Sequence, residues 1–556
     1  MQRTMRWLAL PLLAALATPA ALHAQTAPAT YWVQFTGKGH TPYSLAQPEA
    51  YLGPRALERR ARQHIPIDSL DLPVDPAYIA QLHAAVQMQV LNVSKWLNAV
   101  TIRSTDTLGL DSLGLLPFVH VVKLTQDGRG RPTAMANKFP QERATYQQLY
   151  GWSLRQIEMM NGHLLQQVGN ALGQGMLIGV LDAGFLDADI LPGLASLRAR
   201  NGIVLASDLV DHGADVFRAH YHGRSVLSVM AGEVPGKLAG TAPLANYALV
   251  RTENAATEYI VEEDNWVSGA ELCDSIGCDV LNTSLGYTTF DDSTQNHTYA
   301  DLNGHTARMS IAAGIAAKKG MIPVNSAGNS GALPWHYISV PADAFDILAV
   351  GAVDADRMVA NFSSRGPSAD GRVKPDVAAM GLHTIGLDGG GWNTGPINGT
   401  SFASPLVAGL SACLWQLHQD RTAHEVMAAI RASASIHDSP NDDIGYGIPD
   451  FWRAHLLLGG RDITGLSAPT ALGVMPVPFT NFLDIEVYAG TANTMDLRIC
   501  DMLGKQVWGT CTGLEPETYA RVRIQDDLLN RIRPGAYVIT VQVGDSRITR
   551  HIVKAE

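Results

Sequence analysis

The stretch Met176-Leu177-Ile178-Gly179-Val180-Leu181-Asp182-Ala183-Gly184 decides the fold. Apolar and small residues run to Leu181 without alternation, and a carboxylate and a glycine then end the run. A strand wet on one face alternates polar and apolar positions. A strand without polar positions is buried on both faces, as in a parallel sheet covered by helices. Similar runs recur at Tyr247-Ala248-Leu249-Val250, Val280-Leu281-Asn282, Met321-Ile322-Pro323-Val324 and Ile347-Leu348-Ala349-Val350, with helical patterns between them. Residues 141–458 are therefore expected to form one α/β domain, a mostly parallel sheet with helices on both faces.

The flanks read differently. Residues 25–140 mix helical and alternating segments and suggest an α+β unit. Ala56-Leu57-Glu58-Arg59-Arg60-Ala61-Arg62 reads as a charged helix and Ala77–Val86 as another; strands are expected near Val90–Val93 and Leu97–Ile102. The arginines are expected on a solvated helix face, in preference to a processing site or a binding patch. Residues 459–470 read as a linker. In 471–556, short alternating runs such as Leu497–Cys500, Gln506–Trp508 and Ala536–Val541 predict a small all-β sandwich. At the start, Arg3 and Arg6 precede an apolar stretch ending in small residues, the pattern of a signal peptide over 1–24. That stretch is short for a membrane span and is interrupted by Pro11 and Pro19.

Composition narrows the function classes. The 556 residues suggest three or four units. A hydrophobic share of 46% excludes wholesale disorder. Lys and Arg number 41 and Asp and Glu 52, a net charge of −11, so no basic footprint for nucleic acid is present. Five cysteines are too few for a disulfide scaffold and lack zinc-ligand spacing. Cys500 and Cys511 flank an expected hairpin turn near 503–506 and could bridge; Cys273 and Cys278 are a poorer pair, and Cys413 is expected to be a buried free thiol.

Polar residues at strand and helix ends carry the candidate chemistry. Asp182 follows a buried strand, where it could fix an imidazole or simply form a turn. His222 opens a helical pattern that Gly232 closes. A histidine at that end is disfavoured as a cation and can accept a proton, although a lone histidine is commonly structural. Ser401, in Asn398-Gly399-Thr400-Ser401-Phe402-Ala403-Ser404-Pro405, lies at the mouth of a strong helix. Backbone N–H groups there can stabilise an oxyanion, or the serine can be a cap; Pro405 is expected in the first turn. Asn329, in Ala327-Gly328-Asn329, offers an amide donor or a left-handed turn residue.

Together these stretches resemble the subtilisin-like serine peptidases. Asp182-Ala183-Gly184, His222 through Gly232, Ala327-Gly328-Asn329 and Gly399 through Pro405 match that family's motifs in its linear order. Further matches are Gly240–Pro243, Asn282–Gly286, Phe362–Pro367 and Lys374–Val377, over about 150–458. Arg224 and Met380 depart from the usual Thr and Pro.

The resemblance implies a secreted serine endopeptidase. Ser401 would be the nucleophile, His222 the base, Asp182 its orienting carboxylate and Asn329 an oxyanion donor, with Ser284, Leu285 and Gly286 pairing with substrate. It implies no required cofactor; calcium sites are not legible in the sequence. Protein or peptide substrates and its own propeptide, residues 25–140, would be the partners, with a junction bracketed by 125–145. Glu258, Glu262, Glu263 and Asp264 border the substrate region. They read first as helix-start acids and second as a preference for basic side chains. Met475-Pro476-Val477-Pro478-Phe479, Leu497–Lys505 and Gly535–Val538 resemble the sorting domains of the type IX secretion system. That likeness implies passage through the periplasm of a Gram-negative bacterium to the cell surface or medium. A catalytically inactive surface-binding protein on the same scaffold is the alternative. An α/β-hydrolase esterase is excluded by motif and order, since Ser401 comes last and lacks a Gly-x-Ser-x-Gly elbow.

Overall fold

The computed structural model describes residues 28–460 except 40, 128–149 and 168–169, and residues 468–555 except 476–478, 515–518, 526–528 and 530. The signal segment, most of the junction bracket and linker, and the centre of the Met475–Phe479 motif lie outside the described residues.

Seven strands build the central sheet: β5 (Leu177–Asp182), β6 (Ile203–Asp208), β7 (Asn246–Arg251), β8 (Val280–Thr283), β9 (Ile322–Ser326), β10 (Leu348–Val353) and β11 (Val377–Met380). The order is β11-β10-β9-β8-β5-β7-β6, and each adjacent pair is parallel. Alternate side chains of β5 serve two cores. Ile178 and Val180 pack with helices α4 (His222–Ala231) and α7 (Thr400–Leu417). Leu177 and Leu181 pack with α5 (Val261–Ile276) and α6 (Arg308–Lys318). Burial on both faces is why the strand sequence shows no alternation. This is the subtilisin-like arrangement expected from the sequence.

The N-terminal unit is an antiparallel sheet of β1 (Ala29–Phe35), β2 (Met88–Ser94), β3 (Ala99–Ser104) and β4 (Val119–Gln126), in the order β2-β3-β1-β4. Val33, Phe35, Leu82, Ile102, Leu113 and Phe118 are in its core. The sheet is docked on α5. Glu271 accepts from Ser94 Oγ at 2.7 Å, Lys95 N at 2.8 Å and Trp96 N at 3.0 Å.

Between β1 and β2 the chain makes helix α1 (Pro54–Arg62), and here the solvated-face expectation fails. Arg59 and Arg60 are buried. Arg59 pairs with Asp274 on α5; Arg60 reaches Asp71 at 2.7 Å and Asp274 at 2.9 Å. Lys319 adds bonds to Asp71 at 2.8 Å and Asp68 at 2.9 Å. The charged face turns inward because Asp274, 215 residues from Arg59 in sequence, waits for it, information that no local pattern carries.

The C-terminal unit has a three-stranded and a four-stranded sheet around one core containing Phe479, Ile485, Leu497, Trp508 and Val541. Cys500 and Cys511 do not bridge. Both are free, and the register sets Cys500 opposite Gln506 and Cys511 opposite Asp496. Asp496, the partner of Cys511, is four positions before Cys500 on its strand, so the ladder keeps the thiols apart. Cys273 and Cys278 are also free, and Cys413 is the buried thiol expected. Among the described residues, no helix is long and apolar enough to cross a membrane.

Candidate active site

Asp182 is the last residue of β5, at the carboxyl edge of the sheet, and is fully buried. Its Oδ1 accepts from Ala183 N at 2.7 Å and faces His222 Nδ1 at 2.7 Å. Burial pushes the carboxyl above its ordinary value, while the imidazole and the Ala183 N–H pull it back. His222 is the first residue of α4, so one strand end and one helix start meet.

Two glycines make the approach possible. Gly184 has φ +141°, a turn that an L side chain rarely adopts. A Cβ on Gly223 would lie 2.6 Å from the Gly184 carbonyl oxygen and 2.7 Å from Asp182 Cβ. The glycines of Asp182-Ala183-Gly184 and His222-Gly223 therefore let the two segments touch.

Ser401 is the second residue of α7 and 3% exposed. Its hydroxyl donates to the Ser284 carbonyl at 3.2 Å, and Ser284 Oγ donates back to the Ser401 carbonyl at 2.8 Å. That second bond corrects the expectation for Pro405. The helix starts at Thr400, so Pro405 lies inside it and has no N–H for the Ser401 carbonyl one turn back. Ser284 supplies the missing donor and thereby ties the helix start to the segment after β8. Ser404 Oγ donates to Asn282 Oδ1 at 2.9 Å, a second tie of the same kind. Phe402 packs its ring 5.7 Å from that of His222.

Asn329 follows β9. Its Oδ1 accepts from Thr400 N at 2.9 Å and from Thr400 Oγ1 at 3.0 Å. An amide held by its oxygen presents its NH2 on the other side. The left-handed residue of this loop is Gly328, at φ +109°; Asn329 is free of the turn role.

Ser401, Asn329, Ser284, Leu285 and Gly286 line one cavity of about 160 Å3. Glu253, Glu258 and Ser339 line it too. Glu253 and Ser339 are not in the sequence-derived set. Glu253 could have been found from its position two residues past β7, at the carboxyl edge of the sheet; Ser339 had no signal.

The two departures from the usual motif have places. Arg224 is buried and donates to the carbonyls of Leu186 at 3.0 Å, Asp388 at 2.8 Å and Gly389 at 2.9 Å. It fastens the loop before Gly399 to the turn after Asp182. Met380 is a core residue on β11.

A serine at a helix start and a fixed amide face one cavity, and the imidazole of the buried acid–imidazole pair packs on Phe402, the residue after that serine. Residues 173–447 match the family model described as Subtilase family. The chain carries a subtilase domain. Residues 30–139 match the Peptidase S8 propeptide domain of Bacteroidota, so the N-terminal unit is a propeptide of that type. Similar proteins include "Subtilisin-like protease SBT6.1" of Arabidopsis thaliana, 33% identical over 48% of this chain and 25% of that one. "Membrane-bound transcription factor site-1 protease" of Mus musculus is 32% identical over 36% of this chain and 18% of that one. "Serine protease AprX" of Bacillus subtilis is 26% identical over 47% of this chain and 61% of its own. The subtilase chain thus spans less than two thirds of each of these relatives.

Proposed function

We propose that this subtilase is a serine endopeptidase that hydrolyses peptide bonds through an acyl-enzyme. The observation that carries the reading is the 2.7 Å contact of buried Asp182 with His222, beside a cavity shared by Ser401 and Asn329. Ser401 Oγ attacks the peptide carbonyl after leaving its bond to the Ser284 carbonyl. His222 takes its proton and returns it to the leaving amine. Asp182 holds the ring and stabilises the imidazolium. The Ser401 N–H, in the first turn of α7 where helical N–H groups lack intrahelical partners, joins the Asn329 amide in binding the oxyanion. Ser284, Leu285 and Gly286 align the substrate backbone. The reaction requires no cofactor.

Casein hydrolysis by the protein and by Ser401→Ala tests this. The variant is expected to lose all but a trace of activity; equal activity overturns the assignment.

We further propose that the propeptide blocks the cleft until it is cut, and that residues 471–556 direct type IX export to the surface or medium. The second reading rests on the sequence likeness and on Phe479. This last residue of the Met475–Phe479 motif is buried, donates its N–H to Val553 O at 2.8 Å and accepts from Ala555 N at 2.7 Å. Truncation after residue 470 is expected to trap the protein inside the cell; normal secretion of the truncated chain contradicts the sorting role.

A further inference from the structure

The turn after Asp182 is clamped to the start of α4 on both sides of His222. The Leu186 N–H donates to the His220 carbonyl at 3.2 Å, and the Leu186 carbonyl accepts from Arg224 Nη1 at 3.0 Å. His220 stands two residues before His222 and Arg224 two residues after it. Leu186 therefore holds the turn against the helix start where Asp182 Oδ1 meets His222 Nδ1 at 2.7 Å. The main chain makes the first of these bonds whatever the residues are. The second depends on one side chain.

That side chain is anchored from its other end. Between β11 and α7 the chain makes a hairpin of β12 (Thr384–Leu387) and β13 (Thr394–Ile397), paired antiparallel. Its tip offers the carbonyls of Asp388 and Gly389 to Arg224 Nη2 at 2.8 Å and 2.9 Å. Gly391 leaves room for the guanidinium: a Cβ there would lie 2.6 Å from Nη1, and its φ of +73° suits glycine. The hairpin is also fastened to α4 by Ser228, whose Oγ accepts from Leu387 N at 2.8 Å. The ring of Tyr221 lies 5.8 Å from the guanidinium carbon.

Arg224 is fully buried. Taking a cation out of water is costly, and a side chain needed only to fill this space could be apolar. What the guanidinium adds is direction. Its planar fork sends Nη1 to the turn after Asp182 and Nη2 to the hairpin tip. Beyond β13 the chain passes through Asn398 and Gly399 into α7 and Ser401. The segments of Asp182, His222 and Ser401 thus meet at one side chain.

We propose, on the basis of the peptidase reading above, that Arg224 is a positioning residue. Its clamp on Leu186 holds Asp182 at the imidazole of His222, with the hairpin before Ser401 as the anchor. Without the guanidinium the turn keeps its bond to His220 but loses the one beyond His222, and Asp182 moves with it. A misplacement of about 1 Å costs on the order of 10²-fold in rate. Among the described residues, those lining the cavity of Ser401 do not include Arg224, so the loss belongs to kcat and not to KM.

The test compares the self-processed protein with Arg224→Ala and Gly391→Ala on a fluorogenic peptide. Values of kcat are referred to sites titrated with a fluorophosphonate, so that unfolded or unprocessed molecules do not count. Arg224→Ala is expected to lose kcat about a hundredfold with KM within about threefold. Guanidinium ion at about 10 mM, far below the molar range that unfolds proteins, should restore about tenfold, and sodium ion none. Gly391→Ala displaces the guanidinium from its carbonyls. It should lose kcat about tenfold, and cost nothing further when combined with Arg224→Ala. It also decides the matter if Arg224→Ala does not fold. An unchanged kcat per titrated site in either variant overturns the proposal, as does a loss seen only as fewer titrated sites. Additive losses in the double variant, or guanidinium no better than sodium, overturn it too. Hydrolysis that persists in Ser401→Ala, by contrast, overturns the peptidase reading itself, and the proposal with it.

Discussion

At the scale of single residues, the site depends on what two glycines leave out. The Asp182–His222 contact needs β5 and the start of α4 at a separation that no Cβ on residue 223 allows. Gly223→Ala would place a methyl 2.6 Å from the Gly184 carbonyl and 2.7 Å from Asp182 Cβ, both on backbone or short side chains that cannot swing aside. The expected result is an overpacking cost of about 1–3 kcal/mol in a urea titration. It should come with a fall in kcat larger than any change in KM, because the imidazole moves off its carboxylate. Unchanged kcat would show that the close approach is dispensable. Asp182, His222, Asn329 and Ser401 were legible in sequence because their motifs include the small residues that geometry demands. Ser339 was not, since nothing in its own neighbourhood marks it as facing a cavity formed by four other segments.

At the scale of elements, α1 and α7 each depart from what their sequences imply. α7 carries a proline inside its second turn, and the carbonyl this orphans is satisfied by Ser284 from another segment. α1 has a polar face that points into protein. Burial pushes Asp274 up, but Arg59, Lys95 and Arg60 more than offset it and hold the carboxylate below its ordinary range. Removing one partner of such a buried pair leaves an uncompensated charge. Arg59→Ala is therefore expected to cost about 3–5 kcal/mol, measured as the loss of unfolding free energy of the uncut Ser401→Ala chain. A loss under about 1 kcal/mol would mean that water or Arg60 replaces the partner. The helices themselves were visible as periodic segments. Their orientation was not, because the pattern of a solvated charged face and of a face that docks onto buried carboxylates is the same.

At the scale of the whole molecule, the propeptide and the subtilase domain share buried polar contacts as well as apolar ones. Thr101 Oγ1 of the propeptide donates to Asp264 Oδ2 at 3.1 Å on α5. Burial raises Asp264 from its ordinary 3.8 to about 7, with Arg308 opposing and Glu263 assisting. Between those two values the folded chain holds a proton that the unfolded chain has released. The stability from this group is therefore present on the acid side and lost as pH rises through about 7. Between pH 5.5 and 8 the wild type should lose about 2 kcal/mol more unfolding free energy than Asp264→Asn, which has no proton to lose. Parallel pH profiles for the two proteins would exclude Asp264 as the source.

The sequence by itself determined the strands buried on both faces, the division into propeptide, α/β domain and β sandwich, and the four residues proposed for catalysis. These are local matters: an apolar run without alternation, or a glycine beside a reactive side chain, is written in consecutive positions. Only the tertiary structure decided that Arg59 and Arg60 are buried, that Cys500 and Cys511 lie out of register, that Ser284 replaces the donor Pro405 lacks, and that Glu253 and Ser339 line the cavity of Ser401. In each case the partner comes from a distant segment, or the outcome hangs on the register of two paired strands. The energy of a charge or a hydrogen bond depends on what faces it, and that is settled when the elements pack.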